Sequence, residues 1–265
     1  MSRPRILRVD TFAERPFSGA PVTVCILESV GSSEWMQEVA REWLYKTVFV
    51  FQGAPQPHLR AFTATVEIGL SGSCAVAAAH ALWETGKLAG ENSVEFATQT
   101  GAIVVGLRDG MVEIVRPAVS ETQIDRSQLE LALGVPLEYA GASSSGICIA
   151  EIDSDQTLQG VRPDLDLIRL MPFHSVVLTS RSSVAGFDIG SRVFSPRIGI
   201  AEDPASTSAH CCLAPYWSKK LSKARLVCYE GLERRGVIRV ILDENKVSLA
   251  GKAVTTVDAS LTTAS

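Results

Sequence analysis

The chain enters an alternating apolar and polar pattern at its start, and Arg5 to Leu27 reads as strands. From Ser33 to Trp43 the spacing changes to that of an amphipathic helix, and Lys46 to Phe51 and Leu59 to Phe62 return to strand patterning. A different kind of segment follows. Ser73-Cys-Ala-Val-Ala-Ala-Ala-His-Ala-Leu-Trp83 is helical in composition but small on almost every face, and Thr207-Ser-Ala-His-Cys-Cys-Leu-Ala-Pro-Tyr-Trp217 echoes it at an offset of 134 residues. The strand-turn-strand patterns Val104 to Ile114 and Arg239 to Leu249 echo each other at an offset of 135. Two echoes at nearly one offset predict a duplicated lobe. The second copy then reads as strand Gly146 to Ile152, helix Asp164 to Leu170, strands Ser175 to Thr179 and Arg192 to Phe194, small-residue helix and hairpin. A helix lined with Ala, Cys and Ser packs closely on all sides, as a helix enclosed by a curved sheet must. The expected class is α+β: two pseudo-symmetric lobes, 1–117 and 118–251, each a rolled sheet around a central helix. The linker is expected near Arg116-Pro117 to Ser120, and 252–265 is free to return to the first lobe.

Composition narrows the partners. The chain has 265 residues, 46% apolar and 20% charged, with a net charge of −4 and no long run of either sign. A duplex binder needs a basic stripe, so nucleic acid is not expected. Met1 to Ile6 enters the strand pattern without a signal-like apolar stretch, and the longest apolar run, Cys74 to Trp83, is far short of the ~20 residues that span a bilayer. The expectation is a cytoplasmic protein with no membrane contact. Cys25, Cys74, Cys148, Cys211, Cys212 and Cys228 show no C-x-x-C spacing, so they read as reduced, buried thiols and no metal is expected. There is no G-x-G-x-x-G, no Walker-type loop and no G-x-S-x-G elbow, so neither a nucleotide cofactor nor the usual hydrolase nucleophile finds support.

Both small-residue helices follow polar turns: Ser71-Gly72-Ser73 in the first copy and Glu202-Asp203-Pro204-Ala205-Ser206-Thr207-Ser208 in the second. Helix N-termini present backbone N–H groups and a positive dipole end, which suits a carboxylate or an oxyanion. Plain N-capping by Ser and Asp accounts for either turn alone. Their recurrence at one place in a duplicated fold keeps a ligand-binding cleft equally open.

Val9-Asp10-Thr-Phe12, Arg15-Pro16-Phe17-Ser-Gly19-Ala-Pro21, Trp35-Met36-Gln37 and Phe62-Thr63 resemble the opening of the phenazine-biosynthesis isomerase (PhzF-like) family. Arg162-Pro-Asp-Leu165, Arg192-Val-Phe-Ser-Pro-Arg-Ile-Gly199, Glu202-Asp203-Pro204, Ser208-Ala-His-Cys211 and Leu213-Ala-Pro-Tyr-Trp217 resemble its second half. The resemblance covers nearly the whole chain. It implies the diaminopimelate epimerase fold, a site between two similar lobes, a homodimer, and a cofactor-free proton transfer on a small carboxylate-bearing substrate with glutamate as acid and base.

The chain departs from that pattern at the chemistry. Family sequences read Leu-Ser-Glu-Thr where this one reads Leu44-Tyr45-Lys46-Thr47, and Gly-His-Ala-Thr where it has Gly72-Ser73-Cys74-Ala75. Asp203 and Ser208 match the family's aspartate and serine, whereas Thr207 replaces a glycine, Val237 another, and Ala20 an asparagine. The residues expected to carry catalysis are Lys46, Asp203 and Ser208, with Tyr45, Gly72, Ser73, Cys74 and Thr207 binding substrate. A lysine near its ordinary pKa of ~10.4 is a cation or proton donor rather than a base. Lys46 could pair with Asp203; a neutral Lys46 forming an imine is the other option. Cys74 is either a thiolate at a helix N-terminus or a small core residue. His80 and His210, inside the small-residue helices, read as packed or hydrogen-bonded. The expected activity is a cofactor-independent isomerisation, rearrangement, cyclisation or lyase step on a small carboxylate- or carbonyl-bearing biosynthetic intermediate. The alternative is a silent relative kept as a binding or dimerisation module.

Overall fold

The computed structural model describes residues 3–51, 56–69 and 71–262, so Met1, Ser2 and residues 263–265 at the end of the 252–265 segment lie outside the described residues. The chain divides into two compact units, Met1–Ile114 with Ala250–Ser265, and Val115–Leu249.

The first unit opens with β1 (Arg5–Thr11) and β2 (Ala20–Leu27), antiparallel partners. The loop joining them carries Phe12 and Phe17 at positive φ, and Gly19 at φ 65, where a Cβ would lie 2.1 Å from the Thr11 carbonyl oxygen. Only glycine fits that approach. Helix α1 (Ser33–Trp43) starts on the Ser32 hydroxyl, which accepts from the Trp35 N–H, and buries Met36, Val39 and Ala40. Leu44, at φ 55, ends it in the left-handed conformation. Strand β3 (Lys46–Phe51) pairs parallel with β2, Lys46 opposite Val22, and β4 (His58–Phe62) runs antiparallel to β3. After the short β5 (Glu67–Ile68) comes α2 (Gly72–Glu84), followed by β6 (Ser93–Thr98), β7 (Gly101–Arg108) and β8 (Met111–Pro117). The β7–β8 turn places Asp109 and Gly110 both at positive φ, the geometry that suits the twist of a hairpin. Every residue of α2 from Gly72 to Ala79 is buried, and the helix packs on β1, β2, β3 and β7. On α1's side of the sheet, Cys25, Phe49, Phe51 and Phe62 close a separate apolar cluster with Met36 and Val39.

The second unit contains β9 (Glu121–Gln123), α3 (Ser127–Leu133), β10 (Tyr139–Ser143), β11 (Ile147–Glu151), α4 (Asp155–Gly160), α5 (Leu165–Leu170), β12 (Ser175–Arg181), β13 (Ile189–Ser195) and β14 (Ile200–Asp203). Then come α6 (Thr207–Leu221), β15 (Arg225–Glu230), β16 (Gly236–Asp243) and β17 (Lys246–Gly251). The ladder reproduces the first unit's logic: β11 and β12 are parallel, β12 and β13 antiparallel. Helix α6 packs on β11, β15 and β16, while α4 and α5 pack on β13. Arg192 on β13 is buried; it holds Glu202 at 2.9 and 2.8 Å and donates to the Leu158 and Val161 carbonyls, tying β13 to β14 and to the end of α4. Strand β18 (Ala253–Ser260) belongs to the first unit, antiparallel to β1 along its whole length.

Candidate functional site

In the first unit the candidate residues gather where β3 begins and α2 begins. The left-handed turn at Leu44 redirects the chain so that Tyr45 is half-buried and Lys46 enters the sheet 4% exposed. The Lys46 Nζ donates to the Ser73 Oγ at 3.2 Å and lies 5.8 Å from the Tyr45 ring centre. Ser73 is 1% exposed in the first turn of α2, next to the buried Gly72 and Cys74. Ser71 is positioned as the N-cap, yet its side chain caps nothing; its Oγ shares a hydrogen bond with the Ser73 Oγ at 3.1 Å. The expected serine cap is therefore replaced by an amine–hydroxyl–hydroxyl chain. Ser71 and Cys74 also line a small cavity with Val48, Leu59, Ala61 and Ile68.

In the second unit Asp203, Thr207 and Ser208 come together where β14 runs into α6. Asp203 ends β14, is buried, and its carboxylate accepts from the Ala205 N–H at 3.3 Å. Thr207 is the first helical residue and buried; Ser208 is exposed, its hydroxyl sharing a hydrogen bond with the Ser206 hydroxyl at 3.1 Å. Ser206 makes the cap, accepting from the Ala209 N–H. Three side chains outside the expected set of site residues hold this turn. The Glu230 carboxylate accepts from the Ser206 N–H at 2.7 Å, the His210 Nδ1 lies 2.9 Å from the Ser206 carbonyl oxygen and 3.3 Å from Glu230, and Arg192 fixes Glu202. His210 and Glu230 are both wholly buried, and burial lowers the His210 pKa to about 4, so the ring is neutral at pH 7. A signal existed: a glutamate that follows the apolar run Leu226-Val-Cys-Tyr229 at the end of a strand must find a donor.

All six cysteines are buried, and none is in a disulfide. Burial raises Cys25, Cys148 and Cys211 to about 12 and Cys212 to about 11, and raises Cys228 further, which leaves those five as unreactive thiols. Among the described residues no group of three His, Cys, Asp or Glu side chains is placed to hold a metal, and no helix is long and apolar enough to cross a membrane.

The family model described as phenazine biosynthesis-like protein (PhzC-PhzF) matches residues 9–259. The chain belongs to that family. An uncharacterized isomerase of Halalkalibacterium halodurans is 35% identical over 96% of both chains, and one from Pseudomonas aeruginosa is 35% identical over 93% of this chain and 94% of its own. A PhzF-family phenazine biosynthesis protein from Enterococcus faecalis superposes with a TM-score of 0.90 at 28% identity, covering 98% of this chain and 100% of that one. A hydroxyproline epimerase from Agrobacterium vitis, at TM-score 0.65 and 11% identity, covers 97% of this chain and 93% of its own. That last likeness concerns the fold, which is the diaminopimelate epimerase-like α+β fold. The chain is an enzyme-family member of the PhzF isomerase type.

Proposed function

We propose that the protein is a cofactor-independent PhzF-type enzyme that rearranges, isomerises or cyclises a small carboxylate- or carbonyl-bearing intermediate, with Lys46 in place of the glutamate that family sequences carry. The observation that supports this most is the buried Lys46 amine bonded to Ser73 at the start of α2. In an isomerase family, a cation held against a helix N-terminus stabilises negative charge developing on a substrate oxygen. Asp203 serves as the carboxylate that moves a proton, and Ser208 and Thr207 donate hydrogen bonds to the substrate. Tyr45, Gly72, Ser73 and Cys74 line the binding surface around Lys46. The protein acts as a cytoplasmic homodimer, which light scattering of the purified chain tests.

If Lys46 stabilises charge that exists only in the transition state, Lys46→Met lowers kcat by ~100-fold or more and leaves substrate affinity within a few-fold. Isotope exchange from D2O into candidate intermediates, followed by mass spectrometry, supplies the assay before a full product is known. A second reading, a non-catalytic binding module, is favoured by the loss of the family's glutamate and histidine at Lys46 and Ser73. It predicts tight ligand binding with no turnover and no deuterium uptake, and a single measured turnover eliminates it.

A further inference from the structure

The chain Lys46, Ser73, Ser71 has the chemistry of a nucleophile with a base. Lys46 as a residue is 4% exposed, its amine lies 3.2 Å from the Ser73 Oγ, and Ser73, 1% exposed, contacts the Ser71 Oγ at 3.1 Å. Both separations lie within the reach expected of a nucleophile and its base, and serine–lysine pairs are an established variant of the serine nucleophile. Burial orders the three groups by access. Lys46 and Ser73 are enclosed, whereas Ser71 is partly exposed and faces the small cavity walled by Val48, Leu59, Ala61 and Ile68. Arg60, Glu67, Thr98 and Gln99 line it too, and the space inside is about the size of a water or a methyl, which suits the methyl of an acetyl group. The Gly72 and Ser73 N–H groups sit in the first turn of α2, and the Ser71 side chain does not cap that turn.

We propose that Ser71 is a nucleophile for small acyl esters, with Ser73 as proton relay and Lys46 as base, giving the protein an acyl-transfer activity separate from the isomerase-type reaction. As an ammonium, Lys46 donates to Ser73; once it loses a proton its lone pair can accept instead, and the hydrogen-bond chain then runs from Ser71 to Ser73 to Lys46. The Ser71 Oγ bonds to the ester carbonyl carbon while its proton passes to the Ser73 oxygen and the Ser73 proton passes to the Lys46 nitrogen. The carbonyl π-bond opens to an oxyanion, which lies beside the first N–H groups of α2, as an oxyanion hole requires. Collapse re-forms the carbonyl and breaks the bond to the alcohol oxygen, which takes the proton back from Lys46 along the relay. Water then attacks the acetyl–Ser71 ester, its proton following the same route, and releases acetate. No G-x-S-x-G elbow is needed, because Ser71, immediately before α2, lines the cavity.

This activity uses the amine form of Lys46, whereas the isomerase-type reading uses the ammonium. The probe is p-nitrophenyl acetate, with no biosynthetic substrate present, so failure of one reading leaves the other standing. The full chain is expected to release p-nitrophenol at a rate that rises with pH, and peptide mapping of the quenched enzyme is expected to find the acetyl group on Ser71. Ser71→Ala, Ser73→Ala and Lys46→Arg each lower the rate by ~100-fold, the arginine keeping the charge and the donor but unable to act as a base. A p-nitrophenyl ester of octanoic acid reacts far more slowly, because its chain does not fit the cavity. Ser71 is partly exposed, so Ser71→Ala is expected to keep the native circular dichroism spectrum and melting temperature. Acetyl found instead on Ser73, Cys74 or Lys46, no release above that of heat-unfolded protein, or full activity in Ser71→Ala or Lys46→Arg overturns the proposal.

Discussion

Single residues carry most of what distinguishes this chain from the pattern it resembles. A glutamate near its ordinary pKa takes and returns a proton in one site, and a lysine does not; on the function proposed above, Lys46 and Ser73 therefore change the available chemistry. His210 read from its place in a small-residue helix as packed or hydrogen-bonded, and it is buried against the Ser206 carbonyl, whereas Glu230 was not read at all. Their role depends on a contact across 20 to 24 residues that only the fold reveals. His210 also sets a pH dependence. Its pKa is lowered by burial to about 4 from an ordinary 6.5, so below pH 6.5 the unfolded chain binds a proton that the native state refuses. Stability from this group is complete above pH 6.5 and is lost as pH falls towards 4. The whole difference corresponds to roughly 3 kcal/mol. Urea unfolding at pH 7, 5.5 and 4.5 should therefore show a fall in stability that His210→Gln flattens; equal slopes in the two proteins would refute the assignment.

At the scale of elements, legibility followed local signals. Helix α1 was read at its observed bounds, since its apolar stripe of Met36, Val39 and Ala40 and its serine cap are all written within a dozen residues. The small-residue helices α2 and α6 and the hairpin strands β7, β8, β16 and β17 were found from composition and turn residues. The short α3 and α4 were missed, for six or seven residues show too little of a period. Strand β18 was missed as a strand because Ala-Val-Thr-Thr-Val-Asp-Ala-Ser is half polar and its partner β1 lies some 250 residues away in sequence. That pairing has an energetic consequence. Deleting 253–265 leaves β1 without its β18 neighbour, strips the Arg5–Asp258 pair and bares the backbone of an edge strand. The truncated chain should be found largely in the insoluble fraction on expression, and a soluble protein with unchanged melting temperature would show that β18 contributes little.

For the whole molecule, the informative feature is duplication without equivalence. The two echoes in sequence fall on α2 and α6 and on their following hairpins, so each half builds the same enclosed helix and the same polar first turn. The chemistry at the two turns differs: an amine with two hydroxyls at α2, a carboxylate with hydroxyls at α6. The two turns thus differ in chemistry, and a double variant of Lys46 and Asp203 reads out whether the two residues serve one step. Groups that work as a unit are non-additive. If Lys46→Met and Asp203→Asn each cost ~100-fold in kcat, independent action predicts ~10,000-fold for the pair, whereas shared action predicts a double variant little worse than either single one. Single-turnover rates of the four proteins, with ligand affinity measured alongside, decide the matter. Multiplying losses would assign the two residues to separate steps, and a double variant close to the singles would join them in one.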